Sequence, residues 1–127
     1  MVLTARAECF LVGHLDPLTE AVRRLQAYSE AGADVLFAPG IRTREEIKAV
    51  VDAVRPKPVN VLMSANTGLR VADLASLGVR RVSVGSGLAR VAWGAFLAAS
   101  RELAEGGTFE ALDGAAPFGQ LNTLFDT

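Results

Sequence analysis

Four short apolar segments, each followed by a loop and then a helix-like stretch, constrain this chain more than any other feature. They cover residues 2–7, 34–38, 58–63 and 81–85, and they show no clear alternation of apolar with polar positions. Apolar runs of this length suit strands buried on both faces, as in parallel sheets. The connections are too long for hairpins, so each strand is expected to lie parallel to the last, reached through a right-handed crossover. The predicted order is β-α-β-α-β-α-β-α, an α/β fold of four consecutive βα units.

The stretches between the runs carry helix punctuation. Asp16 is a good N-cap, Pro17 suits the first helical position and Gly32 a C-terminal stop, which predicts a helix over 17–31. Leu18, Ala21, Val22, Leu25 and Tyr28 give it one apolar stripe. Thr43 and Glu46 form a capping box for a second helix, with Ile47, Val50, Val51 and Val54 on its buried face and Pro56 at its end. A third helix is expected over 70–77, stopped by Gly78, and a fourth over 88–105. Beyond Gly106-Gly107, residues 108–112 suggest a helical turn. Residues 117–125 read as another short helix, whose Phe118, Leu121, Leu124 and Phe125 need a surface to pack on. The expected division is therefore 1–105 for the four units and 106–127 for a helical tail.

Parallel βα units close into two architectures: an open doubly wound sheet, or half of a (β/α)₈ barrel of the TIM type, which needs eight units and about 250 residues when complete. Glu8-Cys9-Phe10-Leu11-Val12-Gly13-His14, after the first strand, lacks the glycine fingerprint of a nucleotide-binding sheet. With 13 basic and 14 acidic residues, the chain has no surplus of positive charge for nucleic acid or an anionic membrane. No apolar run could span a bilayer, and residues 1–6 lack a signal-peptide pattern. The lone Cys9 fits a reducing cytoplasm. A soluble intracellular domain is expected.

In either architecture the functional groups gather at the carboxyl ends of the strands. Arg6 and Glu8, Ala38-Pro39-Gly40, Ser64-Ala65-Asn66 and Gly85-Ser86-Gly87 would share that rim. An arginine ending an apolar strand needs an anion, either a bound carboxylate or phosphate or a neighbouring acid such as Glu8. Gly85-Ser86-Gly87 suits an anion at a helix start, or simply a tight strand-to-helix turn. Bland roles are expected elsewhere: solvation for His14, burial for Cys9, structure for Asp34 and packing for Trp93 with Phe96. Glu20 with Arg23 and Arg24, and Glu45 with Lys48, should be solvated helix pairs.

Leu3-Thr4-Ala5-Arg6-Ala7-Glu8, followed by Ala27-Tyr28-Ser29-Glu30-Ala31-Gly32-Ala33-Asp34, resembles the fifth unit of the isocitrate lyase/phosphoenolpyruvate mutase superfamily. That unit commonly reads Ala-Arg-Thr-Asp and then Tyr-x-x-Ala-Gly-Ala-Asp. Leu77-Gly78-Val79-Arg80-Arg81-Val82-Ser83 and Gly87-Leu88-Ala89-Arg90 resemble its eighth unit. The resemblance implies the C-terminal half of the family's barrel. It also implies an enzyme class that makes or cleaves C–C or P–C bonds beside a carboxylate, with magnesium stabilising an enolate. It places Arg6 near substrate anions, with Glu8, Asn60, Gly85 and Ser86 as further substrate-binding candidates; no catalytic residue is assigned.

The chain departs from the family at Ala7-Glu8, where Thr-Asp is usual, and at Phe37-Ala38-Pro39, where Phe-Pro-Glu is common. Either Asn60 or Asn66 could correspond to the asparagine of the seventh strand. The family's magnesium-binding aspartates and catalytic loop belong to the first half, so this chain holds no expected metal ligand and is expected to be inactive alone. The expected ligand is a small carboxylate or α-oxo acid. Expected partners are a complementary half-barrel chain or further copies in a homo-oligomer, and the alternative functions are a self-associating, non-catalytic half-barrel or a small anion-binding module.

Overall fold

A computed structural model describes residues 1–126. Its strands, β1 (Thr4–Arg6), β2 (Val35–Phe37), β3 (Val59–Leu62) and β4 (Arg81–Ser83), form one parallel sheet in the order β1-β2-β3-β4. The helices are α1 (Pro17–Glu30), α2 (Arg44–Ala53), α3 (Val71–Ser76), α4 (Gly87–Arg101) and α5 (Phe118–Thr123). All four strands fall inside the predicted segments but are shorter. Backbone bonding continues past the regular pairing, from Val35 N to Leu3 O, from Ala7 N to Phe37 O and from Met63 N to Ser83 O.

Two compact units make up the chain: Met1–Gly87, and the segment from Leu88 onward. In the first, the buried core joins Leu36, Val59 and Val61 of the sheet to Ala21 and Leu25 of α1, Ile47, Val50 and Val51 of α2, and Leu74 of α3. Fully burying a Leu, Ile or Val side chain contributes about 1.5–3 kcal/mol. Helices α1, α2 and α3 thus cover one face of the sheet, and the strands follow in chain order. A doubly wound sheet needs a reversal of strand order and helices on both faces; sequential order with one covered face is the wall of a barrel.

The predicted caps form. Asp16 Oδ1 accepts from Thr19 N, and Thr43 and Glu46 make the reciprocal capping box. Lys48 pairs with Asp52, a turn onward, rather than with Glu45: a lysine reaches an acid four positions along the same face.

Glu20 meets Arg23 Nε at 2.8 Å and Arg24 Nε at 2.6 Å. Hydrogen bonds from Arg23, then Arg24, hold its carboxyl at about 2, down from the ordinary 4.5. Asp73 is likewise held at about 2, first by the Arg70 backbone N–H and then by Arg44. A depressed carboxylate stabilises the fold above its unfolded pKa, and that contribution is lost as pH falls through the folded value. The stability difference between the native chain and Glu20→Gln should therefore be constant above about pH 5 and shrink towards pH 2. Urea unfolding across that range checks it.

In the second unit, α4 ends at Arg101, and residues Glu102–Gly106 form a π turn, where the sequence pattern predicts helix to 105. Glu102 accepts from Thr108 Oγ1 and from the backbone N–H groups of Glu110 and Ala111. Those bonds, Thr108's first, lower its pKa and close the turn. Trp93 and Phe96 meet edge to face at 5.4 Å, but both are exposed, so the packing expected of them is limited to that mutual contact. No residue of α4 is buried, and Phe118, Leu124 and Phe125 are exposed.

Candidate functional site

Strand register decides which side chains share the face opposite the helices. Arg6 pairs with Phe37, Phe37 with Asn60, and Asn60 with Arg81. Partners across a parallel ladder point to the same face, and Ala5, Leu36 and Val59, on the helix side, point to the other. The row Arg6–Phe37–Asn60–Arg81 therefore lines the face that is concave in a barrel.

Arg6, the last residue of β1, is half exposed. Its guanidinium lies 5.2 Å from the Phe37 ring centroid and forms an ion pair with Glu8. The acid that the sequence offers as an alternative partner is thus in contact. Stacking on an aromatic face holds the guanidinium plane while leaving its remaining N–H groups free to donate.

Asn60 is fully buried. Its Nδ2 donates to Ser83 Oγ at 3.0 Å, and its Oδ1 accepts from Arg81 Nη1 at 3.1 Å. These two bonds fix the carboxamide orientation. Asn66, the other asparagine in question, is exposed and only accepts from Gly68 N across its own turn. Gly85 has φ +54°, and Gly87 N donates to Val84 O at 2.9 Å, closing a tight turn that carries the exposed Ser86. The candidates fall in three places: Arg6 with Glu8 at the end of β1, Asn60 in mid-sheet, and the Gly85-Ser86 turn just past β4.

Cys9 is buried, His14 exposed, and Asp34 accepts from Leu3 N at 2.8 Å, each a structural role. Arg81 and Ser83 escaped the sequence reading because partners 21 and 23 positions away are joined only by register. Thr67, in the loop after β3, was also missed; its buried Oγ1 has no hydrogen-bond partner.

Asn60→Leu should destabilise the chain by roughly 1–2 kcal/mol, because Ser83 Oγ and Arg81 lose their partner. Adding Ser83→Ala should recover part of that loss, since one stranded group is then removed. Urea midpoints of the two variants measure it.

Among the described residues no group of three or more His, Cys, Asp or Glu could hold a metal ion, and the rim acid Glu8 is committed to Arg6. The donor set of the described residues does not fit magnesium. No helix of the described residues is long and apolar enough to cross a membrane.

Sequential parallel βα units with helices on one face of the sheet define a (β/α)₈-type scaffold, represented here by four of its units. The chain belongs to the phosphoenolpyruvate phosphomutase family, whose profile matches residues 1–104. A lyase/mutase-type protein of Burkholderia cenocepacia J2315 is 50% identical, with a TM-score of 0.90 over 99% of this chain and 45% of that one. Oxaloacetate acetylhydrolase, solved with the product oxalate, is 25% identical, with a TM-score of 0.76 over 95% of this chain and 42% of that one. The oxaloacetate decarboxylase of Paraburkholderia xenovorans LB400 is 38% identical over 72 residues, 57% of this chain and 23% of that protein. The chain spans under a third of the curated relatives it matches, 31% of the first of them.

Proposed function

We propose that this chain supplies the anion-holding half of a lyase or mutase acting on C–C or P–C bonds of α-oxo or hydroxy carboxylates. The observation that carries this reading is Arg6, held over Phe37 at the carboxyl end of β1 with a single carboxylate, Glu8, as its ion-pair partner. A substrate carboxylate takes the guanidinium fork bidentately, and Gly85 and Ser86 contribute polar contacts further along the wall. The buried Asn60 acts on the substrate through Arg81 and Ser83, which it holds. Residues 1–105 provide the four units and the segment 106–127, whose last residue lies outside the described residues, a helical extension. Magnesium is needed, and its ligands belong to the complementary half of the barrel, so this chain alone is inactive. A cytoplasmic setting suits the buried free thiol of Cys9.

Oxalate calorimetry tests the anchor. Saturable binding should weaken at least roughly tenfold in Arg6→Ala, and unchanged binding would remove Arg6 from the site. Glu8→Gln should instead tighten oxalate about two- to fivefold, because an exposed ion pair competing for the guanidinium is worth up to about 1 kcal/mol.

One observation favours a second reading, a self-associating half-barrel without catalysis. Strands β1 and β4 each have a hydrogen-bonded neighbour on one side only, and open parallel edges template association. Light scattering separates the readings: a dimer that persists when the complementary half is added favours the second.

A further inference from the structure

At the opposite end of the sheet from Arg6, a cavity of about 300 Å³ is lined by Val51, Arg55, Pro56, Lys57, Gly78 and Arg80. Lys57 precedes β3 and Arg80 precedes β4, so the cavity lies at the strands' amino ends. Three of these residues are basic and none is acidic. Arg55 is 3.1 Å from Asp52, which Lys48 also engages. Among the described residues, neither Lys57 nor Arg80 has a carboxylate within 4.0 Å. Elsewhere on this unit clustered arginines share an acid: Arg23 and Arg24 share Glu20, and Arg44 and Arg70 share Asp73.

Basic residues lining one concavity give it a positive potential, which draws a multivalent anion. The shape is fixed as well as the charge. Gly78 has φ +94°, and a Cβ there would stand 2.8 Å from Val51 Cγ1 and 3.8 Å from Arg55 Nη2. The missing side chain lets the α3–β4 turn close against α2 beside the Arg55 guanidinium. We infer that this cavity is an anion site, distinct from the rim, for a phosphate-class dianion: inorganic phosphate or the phosphate group of a small monoester. A dianion matches the two cations left without an acid, and guanidinium and ammonium groups are the usual phosphate donors.

Amide chemical shifts of the full chain are followed at constant ionic strength and about pH 7.5, where the phosphate is largely dianionic. Inorganic phosphate and glycerol 3-phosphate are titrated separately, with chloride as the blank. Saturable shifts at Lys57, Gly78 and Arg80 are expected from at least one of them, and the tighter ligand identifies the source. Lys57→Gln and Arg80→Gln should each weaken binding roughly tenfold, whereas Arg6→Ala should leave it unchanged. The proposal is overturned if chloride gives the same shifts, if neither phosphate saturates, or if binding follows Arg6 instead. Should a Gln variant fail to fold, the same comparison is made with Lys57→Met and Arg80→Lys, the first expected to weaken binding and the second to retain most of it.

Discussion

Arg6→Ala, in a barrel completed by its first half, is expected to lower kcat/KM by roughly two to three orders of magnitude. The guanidinium is already oriented at the carboxyl end of β1, stacked on Phe37 and ion-paired with Glu8. Alanine removes charge, fork and stack together. Arg6→Lys keeps the charge but loses the planar fork, so it should recover only part of the loss. The fold should survive both changes, because the Arg6 side chain is 47% exposed. Steady-state kinetics on oxaloacetate or 2-methylisocitrate, with a thermal-unfolding control, separate a lost anchor from a damaged scaffold. Equal activity of the native and Ala proteins would show that another group carries the anion.

The second large effect concerns stability. Leu36→Ala should cost about 2–5 kcal/mol, since Leu36 is fully buried at the centre of the sheet and its truncation leaves a cavity among α1, α2 and β3. Against the roughly 5–15 kcal/mol that holds a typical domain together, this is a large fraction. Leu15→Ala is the matched control, because Leu15 is fully exposed and should change stability by no more than about 0.5 kcal/mol. Denaturant unfolding of the pair, run side by side, compares the same side chain in and out of the core.

The fold was legible where local chemistry decides structure. Asp16 and the Thr43–Glu46 box start α1 and α2 as read, and the apolar runs contain all four strands. What periodicity left open, barrel wall or doubly wound sheet, depends on strand order and on the face that the helices cover, which are long-range properties. Family resemblance pointed to the barrel, and the sequential sheet agrees. The site divided in the same way. Arg6 and Glu8 are two positions apart, so their pairing could be weighed directly. The bonds from Asn60 to Arg81 and Ser83 exist only because β3 and β4 adopt one register out of several. The basic cavity was invisible for the same reason: Lys57 and Arg80 are ordinary surface residues until two loops bring them together.

This chain is proposed to hold the substrate anion and to rely on a complementary half for the metal and the catalytic loop. The direct measurement mixes this chain with the first four βα units of the Burkholderia cenocepacia relative and assays magnesium-dependent turnover of oxaloacetate and 2-methylisocitrate. That division of labour requires turnover by the mixture, dependent on Arg6, and none by either half alone. Turnover by this chain without a partner would contradict it.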